Sequence, residues 1–128
     1  MDKYDEYLKS STFLNSLNNE VEKGSEMYEK HRTKMKTINQ AMFVMFDKDQ
    51  IIFPRSSQIF GETSKKDADG KRNEIKMEDT ENYKNDDLGL KYLNEHQKLK
   101  TVHIDAKHTA YKDDDIKNTF LPFLKQWT

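Results

Sequence analysis

The stretch Ala41-Met42-Phe43-Val44-Met45-Phe46 decides how the rest of the chain is read. It is apolar at every position, with no alternation of polar and apolar residues, the pattern of a strand covered on both faces as in a parallel sheet. A second strand-like stretch, Thr101-Val102-His103-Ile104-Asp105, stands about sixty residues further on, and Gln50-Ile51-Ile52-Phe53 is a shorter third candidate. Between and around them run helix-forming segments, so the class is α/β, with few parallel strands and flanking helices. Two or three strands cover a fully apolar strand poorly, and an isolated strand pair is marginal. On these grounds the chain reads as an incomplete sheet.

The remaining elements are short. Residues 3–9 suit a helix that breaks at Ser10-Ser11-Thr12, and residues 19–36 suit one or two surface helices weakened by Gly24. Between Glu62 and Asp87 apolar residues are sparse and Asp67-Ala68-Asp69-Gly70 is a turn signal, so residues 62–87 are expected to be a solvated polar excursion with a short edge strand near Ile75 to Met77. Leu88 to Leu99 reads as a short helix with Leu88, Leu90 and Leu93 as its apolar contacts. A final helix begins at Asp113-Asp114-Asp115, whose acids suit its positive end, and carries Ile116, Phe120, Leu124 and Trp127 on one stripe, with a kink at Pro122.

Composition narrows the function classes. The 128 residues suit a single domain, and 35% of them are charged against 34% hydrophobic, with a mean hydropathy of -1.08. Twenty-two basic residues against 23 acidic ones leave a net charge of -1, so no overall field draws nucleic acid. The basic cluster His31, Arg32, Lys34 and Lys36 reads as a solvated helix face. There is no cysteine, which removes disulfides, thiol nucleophiles and cysteine metal sites. The longest apolar run is too short for a membrane span, and the residues after Met1 lack the apolar core of a secretory signal. No phosphate loop, EF-hand or N-glycosylation sequon occurs.

Asp49 follows the apolar strand in Phe46-Asp47-Lys48-Asp49-Gln50, and His108 follows the second strand in Ile104-Asp105-Ala106-Lys107-His108. Acid and then histidine, each just past a strand, is the later part of the chain order nucleophile, acid, histidine found in α/β hydrolases. No G-x-S-x-G segment is present, and Ser10, Ser11, Ser16, Ser25, Ser56, Ser57 and Ser64 all lack an elbow context. Residue type alone favours plainer readings: a turn aspartate accepting local N–H bonds, and a solvated loop histidine. Asp47 is the rival to Asp49. His103, Asp105 and His108 can be drawn as a metal site, but a fourth ligand is lacking and coincidence is the better reading. His31 and His96 receive no role.

Several segments together resemble the palmitoyl-protein thioesterases. They are Phe13-Leu14-Asn15-Ser16-Leu17-Asn18-Asn19-Glu20, Phe43-Val44-Met45, Asp49-Gln50-Ile51-Ile52-Phe53-Pro54, Phe60-Gly61, Asp87-Leu88-Gly89-Leu90-Lys91, His108 and Leu121-Pro122-Phe123-Leu124. They stand in the family's order and near its spacing. The resemblance implies that residues 1–128 form a single partial domain, the carboxyl-terminal part of an α/β-hydrolase fold without its nucleophile-bearing half. It implies a serine hydrolase that cleaves the thioester of long-chain acyl groups on the cysteines of a palmitoylated protein or peptide, in the lysosome, with no metal or organic cofactor. Asp49 aligns with the catalytic acid and His108 with the catalytic base, although the family's Gly-Asp-His is here Ala106-Lys107-His108. The alternative function is a non-catalytic binding module that keeps a hydrolase half-fold. Acyl-chain preference and oligomeric state are not written in these residues.

Overall fold

The computed structural model of the chain describes residues 3–126; Trp127, expected on the last helix, lies outside them, as do Met1, Asp2 and Thr128. In chain order the regular elements are α1 (Lys3–Ser10), α2 (Leu14–Leu17), α3 (Glu26–Lys36), β1 (Ala41–Phe46), β2 (Glu62–Thr63), β3 (Glu74–Ile75), α4 (Glu81–Lys84), α5 (Leu90–Glu95), β4 (Leu99–Ile104), α6 (Asp113–Asp115) and α7 (Leu121–Lys125). Short 3-10 turns at Arg55–Ile59 and Met77–Asp79 and a π turn at Ile116–Phe120 complete the set.

β1 and β4 form a parallel pair in the register Ala41 with Leu99 through Phe46 with Ile104. The class read from the apolar stretch, mixed helix and strand with a small parallel sheet, is the one observed. Coverage differs from expectation: Phe46 is buried, whereas Ala41 to Met45 are only half-buried. Two strands cannot enclose a strand built to be enclosed. β2 and β3 pair antiparallel, closing the Asp67-Ala68-Asp69-Gly70 turn, in which the Asp67 carboxylate accepts the Asp69 and Lys71 N–H groups.

Gln50 to Phe53 is not a strand. It runs as an irregular bend with Ile51 71% and Phe53 83% exposed, because Asp49 turns the chain and Pro54 offers no N–H to a ladder. The solvated excursion of residues 62–87 is also shorter than its composition indicates. Met77, Thr80, Tyr83 and Asp87 are buried, and Met77, Tyr83, Leu88 and Leu90 form the core, with Phe43, Phe60 and Leu99 packed against it. A few large side chains spaced along a polar segment suffice when each enters the core. Leu90 and Leu93 are the most deeply buried apolar residues among those described, each contributing about 1.5–3 kcal/mol by burial.

The helix expected over Leu88 to Leu99 is confined to Leu90–Glu95. Gly89 enters it at φ 83°, Gln97 leaves it at φ 56°, and the Lys98 N–H closes it on the Leu93 carbonyl at 2.7 Å. α3 starts only after Gly24, where Ser25 accepts the Tyr28 N–H on its hydroxyl. The basic face of α3 is not merely solvated: Arg32 donates to the Asp86 carbonyl at 2.8 Å, and Lys36 pairs with the Asp86 carboxylate at 2.7 Å. At the other end of the chain Pro122 denies an N–H to the Asn118 carbonyl. The helix widens into the Ile116–Phe120 π turn instead of continuing regularly.

A buried polar knot ties the amino-terminal helices to the core. The Asn19 amide donates to the Tyr28 carbonyl at 3.0 Å and to the Asp87 carbonyl at 2.8 Å, while the Asp87 carboxylate accepts from Tyr28 Oη and Lys23 Nζ, both at 2.6 Å. Burial, helped by the Asp87 carboxylate, pushes the Tyr28 hydroxyl pKa up to about 12.

Candidate active site

The parallel pair outlasts its strands. The Asp47 N–H reaches the Ile104 carbonyl at 2.9 Å and the Lys48 N–H reaches the Ala106 carbonyl at 3.0 Å, which keeps the two chain exits side by side. The Asp49 N–H then bonds back to the Phe46 carbonyl at 3.0 Å and closes a turn. The carboxyl ends of adjacent parallel strands are where α/β folds place ligand-facing side chains. Asp49 and His108 emerge there.

The two readings of Asp49 as a turn residue and as a partner of histidine are both satisfied, one on each oxygen. Oδ1 accepts the Ile51 N–H at 2.8 Å and the Ile52 N–H at 3.1 Å, and Oδ2 lies 2.7 Å from His108 Nδ1. The Asp49 side chain is 0% exposed, whereas that of His108 keeps 34% of its surface open. Burial pushes the Asp49 carboxyl up, but the bonds from His108 and from the Ile51 and Ile52 backbone outweigh it and hold it below the usual carboxylate range. An ionised carboxylate only accepts, so the hydrogen of this contact sits on Nδ1. In a neutral ring with its hydrogen on Nδ1, Nε2 carries the lone pair that can take a proton.

Asp47 and His103, the neighbouring acid and histidine, form a separate and more exposed contact of 3.0 Å, and Lys48 pairs with Asp105 at 2.8 Å. The potential metal trio of His103, Asp105 and His108 is thereby divided among three different partners. No three side chains of metal-binding type are grouped to hold an ion among the described residues. Among the same residues no serine hydroxyl bonds to His108. Ser10, Ser57 and Ser64 hydroxyls donate to backbone carbonyls, Ser11 and Ser25 hydroxyls accept backbone N–H groups, and the Ser56 hydroxyl is buried without a partner.

Some supporting groups were not anticipated from the sequence. Arg55 donates to the Asp47 carbonyl, and the Gln58 side-chain oxygen accepts the Phe46 N–H at 3.3 Å. The Ile51 and Ile52 N–H groups were legible in principle, since an aspartate accepting bonds from two and three residues ahead is a known turn. Nothing local marks Arg55 or Gln58, which act through the path of the intervening bend. In the loop after β4, Thr109 takes left-handed backbone at φ 53°, one residue beyond His108.

An acid and an imidazole joined through Nδ1 beyond neighbouring parallel strands are features that point to the hydrolases. The family model described as palmitoyl protein thioesterase matches residues 1–108, and the chain belongs to that family. It is 32% identical over 122 residues to the palmitoyl-protein thioesterase-dolichyl pyrophosphate phosphatase fusion 1 of Schizosaccharomyces pombe, covering 95% of this chain and 18% of that protein. It is 30% identical over 122 residues to palmitoyl-protein thioesterase 1 of Caenorhabditis elegans, covering 91% of this chain and 39% of the relative. The chain thus spans less than half the length of these curated relatives.

Proposed function

We propose that residues 1–128 are one partial α/β-hydrolase domain that supplies the acid and the base of a palmitoyl-protein thioesterase. The 2.7 Å contact between the buried Asp49 carboxylate and His108 Nδ1 carries this reading. His108 Nε2 takes the proton of a serine hydroxyl as that oxygen attacks the thioester carbonyl. It then delivers the proton to the departing cysteine sulfur. Water, deprotonated by the same nitrogen, then attacks the acyl-serine carbonyl; the acyl–oxygen bond breaks, His108 returns the proton to the serine oxygen, and the fatty acid leaves. Asp49 holds the ring in the productive tautomer and stabilises the imidazolium formed at each transfer. The substrate class is a long-chain acyl group on a protein or peptide cysteine, and lysosomal residence follows from the resemblance. The serine and the oxyanion-hole N–H groups come from polypeptide outside the described residues.

The test is a chimera in which this chain replaces the matched stretch of the C. elegans relative. Hydrolysis of an acyl thioester should fall by about 10⁴-fold in Asp49→Asn, the loss typical of a wrong imidazole tautomer. It should fall by orders of magnitude in His108→Ala as well. Parent-like rates in either variant remove that residue from the mechanism.

A further inference from the structure

Twenty-two of the 128 residues are lysine or arginine, yet two of them stand side by side at only two places in the chain, Lys65-Lys66 and Lys71-Arg72. Both pairs lie in the arm between β2 and β3, one on each side of the Asp67 to Gly70 turn. Every residue from Lys65 to Glu74 is exposed. The arm is tied down at its base alone. β2 and β3 make a ladder of two residue pairs, with no third strand beside it among the described residues. Next to the ladder, Ser64 donates its N–H to the Asn73 carbonyl at 2.8 Å, accepts the Asn73 N–H on its hydroxyl at 2.9 Å, and accepts from the Arg72 guanidinium on its carbonyl at 3.0 Å. A two-stranded ribbon this short is marginal in water, so the arm opens locally while the core stays folded.

We propose that this arm is a proteolytic processing site, cut after Arg72 and then after Lys66 by an endopeptidase that reads paired basic residues. Such an enzyme takes its substrate as an extended strand and receives the two adjacent cations on carboxylates. Lys71-Arg72 is the better pair, because Arg72 offers a guanidinium fork and only Ser64 holds the bond that follows it. Lys66 is followed by Asp67, whose charge repels an acidic cleft and whose carboxylate closes the turn on the Asp69 and Lys71 N–H groups. Water is consumed in the cut: the bond between the Arg72 carbonyl carbon and the Asn73 nitrogen breaks, leaving a carboxylate on Arg72 and an amino group on Asn73. Asp49 and His108 then belong to different pieces, which the fold keeps together. β1 of the first piece stays paired with β4 of the second, and Phe43 and Phe60 stay packed on Met77, Tyr83, Leu88 and Leu90. Asn19, Lys23 and Tyr28 remain bonded to Asp87. The second cut frees residues 67–72, all of them exposed, so the product is a two-chain protein with its core unchanged.

The 128-residue chain is treated with an endopeptidase specific for paired basic residues and, separately, with dilute trypsin. Mass spectrometry under denaturing conditions should show pieces 1–72 and 73–128, with the first later trimmed to 1–66. Native gel filtration should show the two pieces eluting together where the uncut chain elutes. Trypsin, offered all 22 lysines and arginines, should make its first cut within residues 65–72. Lys71→Gln combined with Arg72→Gln should slow the first cut by the pair-specific enzyme by about tenfold or more, the loss expected for a missing charge-assisted contact, and move it to Lys66. Adding Lys65→Gln and Lys66→Gln should leave the arm uncut. All four side chains are exposed, so the variants should melt where the parent does. Resistance of the parent to both enzymes, a first tryptic cut outside the arm, an unchanged rate and position of cutting in the double variant, or separation of the pieces on native filtration would each overturn the proposal.

Discussion

The side-chain amide of Asn19 and the main-chain carbonyl of Asp87, 68 positions apart, meet in a hydrogen bond of 2.8 Å in the interior of the protein. The same amide reaches Tyr28, so a single 1%-exposed residue joins the segment after α2, the start of α3 and the approach to α5. Asn19 also holds φ 54°, a left-handed conformation that asparagine tolerates better than most residues.

Asn19→Ala leaves the buried Asp87 carbonyl without a donor, removes the second bond on the helical Tyr28 carbonyl and places alanine where φ is positive. Thermal or urea unfolding should show a loss of about 1–3 kcal/mol. A change within a few tenths of a kcal/mol indicates that water replaces the amide at no cost.

Asp49 and Asp47 should separate cleanly in solution. Proton NMR of the chain is expected to show a strongly downfield Nδ1–H signal from His108 that disappears in Asp49→Asn and persists in Asp47→Asn. Loss of the signal in the Asp47 variant alone assigns the histidine partner wrongly. In the chimera, Asp47→Asn should leave thioester hydrolysis within a few-fold of the parent.

Gly89 enters α5 at φ 83°, and a Cβ there would stand 3.1 Å from Lys36 Cγ and 3.3 Å from the Arg32 carbonyl. Gly89→Ala combines left-handed strain with a push against α3, for a combined loss of about 1–2 kcal/mol. A calorimetric melt no lower than the parent's rules out this packing of α3 on α5.

Acid should loosen the fold through two carboxylates. Burial pushes Asp86 up, yet the bond from Lys36, the Tyr92 N–H and the charge of Arg32 outweigh it and hold the group low, as His108 and the turn do for Asp49. A carboxyl held below its unfolded value contributes stability above the unfolded pKa. That contribution drains away as pH falls through the folded one. Tm should therefore drop below about pH 4, near the ordinary carboxylate value, and drop less steeply in Asp86→Asn. Glu62 runs the opposite way, raised first by burial and then by Glu20 and Glu81. Its contribution is complete below the unfolded pKa and is lost as pH rises through the raised one, so Glu62→Gln should lift Tm at neutral pH. An unchanged Tm in that variant rejects the assignment.

How far the chain could be read before folding follows from the range of the forces involved. β1, β4, the Asp67 to Gly70 turn and the apolar contacts Leu88, Leu90 and Leu93 announce themselves through composition and turn chemistry within a few residues. Asp49 and His108 stood out by position after a strand, although their contact spans 59 positions and only the parallel pairing creates it. The errors share one cause. Gln50 to Phe53 has strand-like residues but no neighbouring strand, Met77 and Tyr83 sit in polar surroundings but reach the core, and Arg32 and Lys36 appear solvated until Asp86 is brought beside them. Each is decided by a partner far away in the chain.

Because one oxygen of Asp49 folds the bend while the other grips the imidazole, the bend and the ring cannot move independently. Any displacement of Ile51 or Ile52 pivots the carboxylate and slackens its hold on His108, so that a disturbance on the exposed Ile51–Phe53 surface is transmitted straight to the ring. A glutamate in that position, one methylene longer, fits one of the two tasks and forfeits the other.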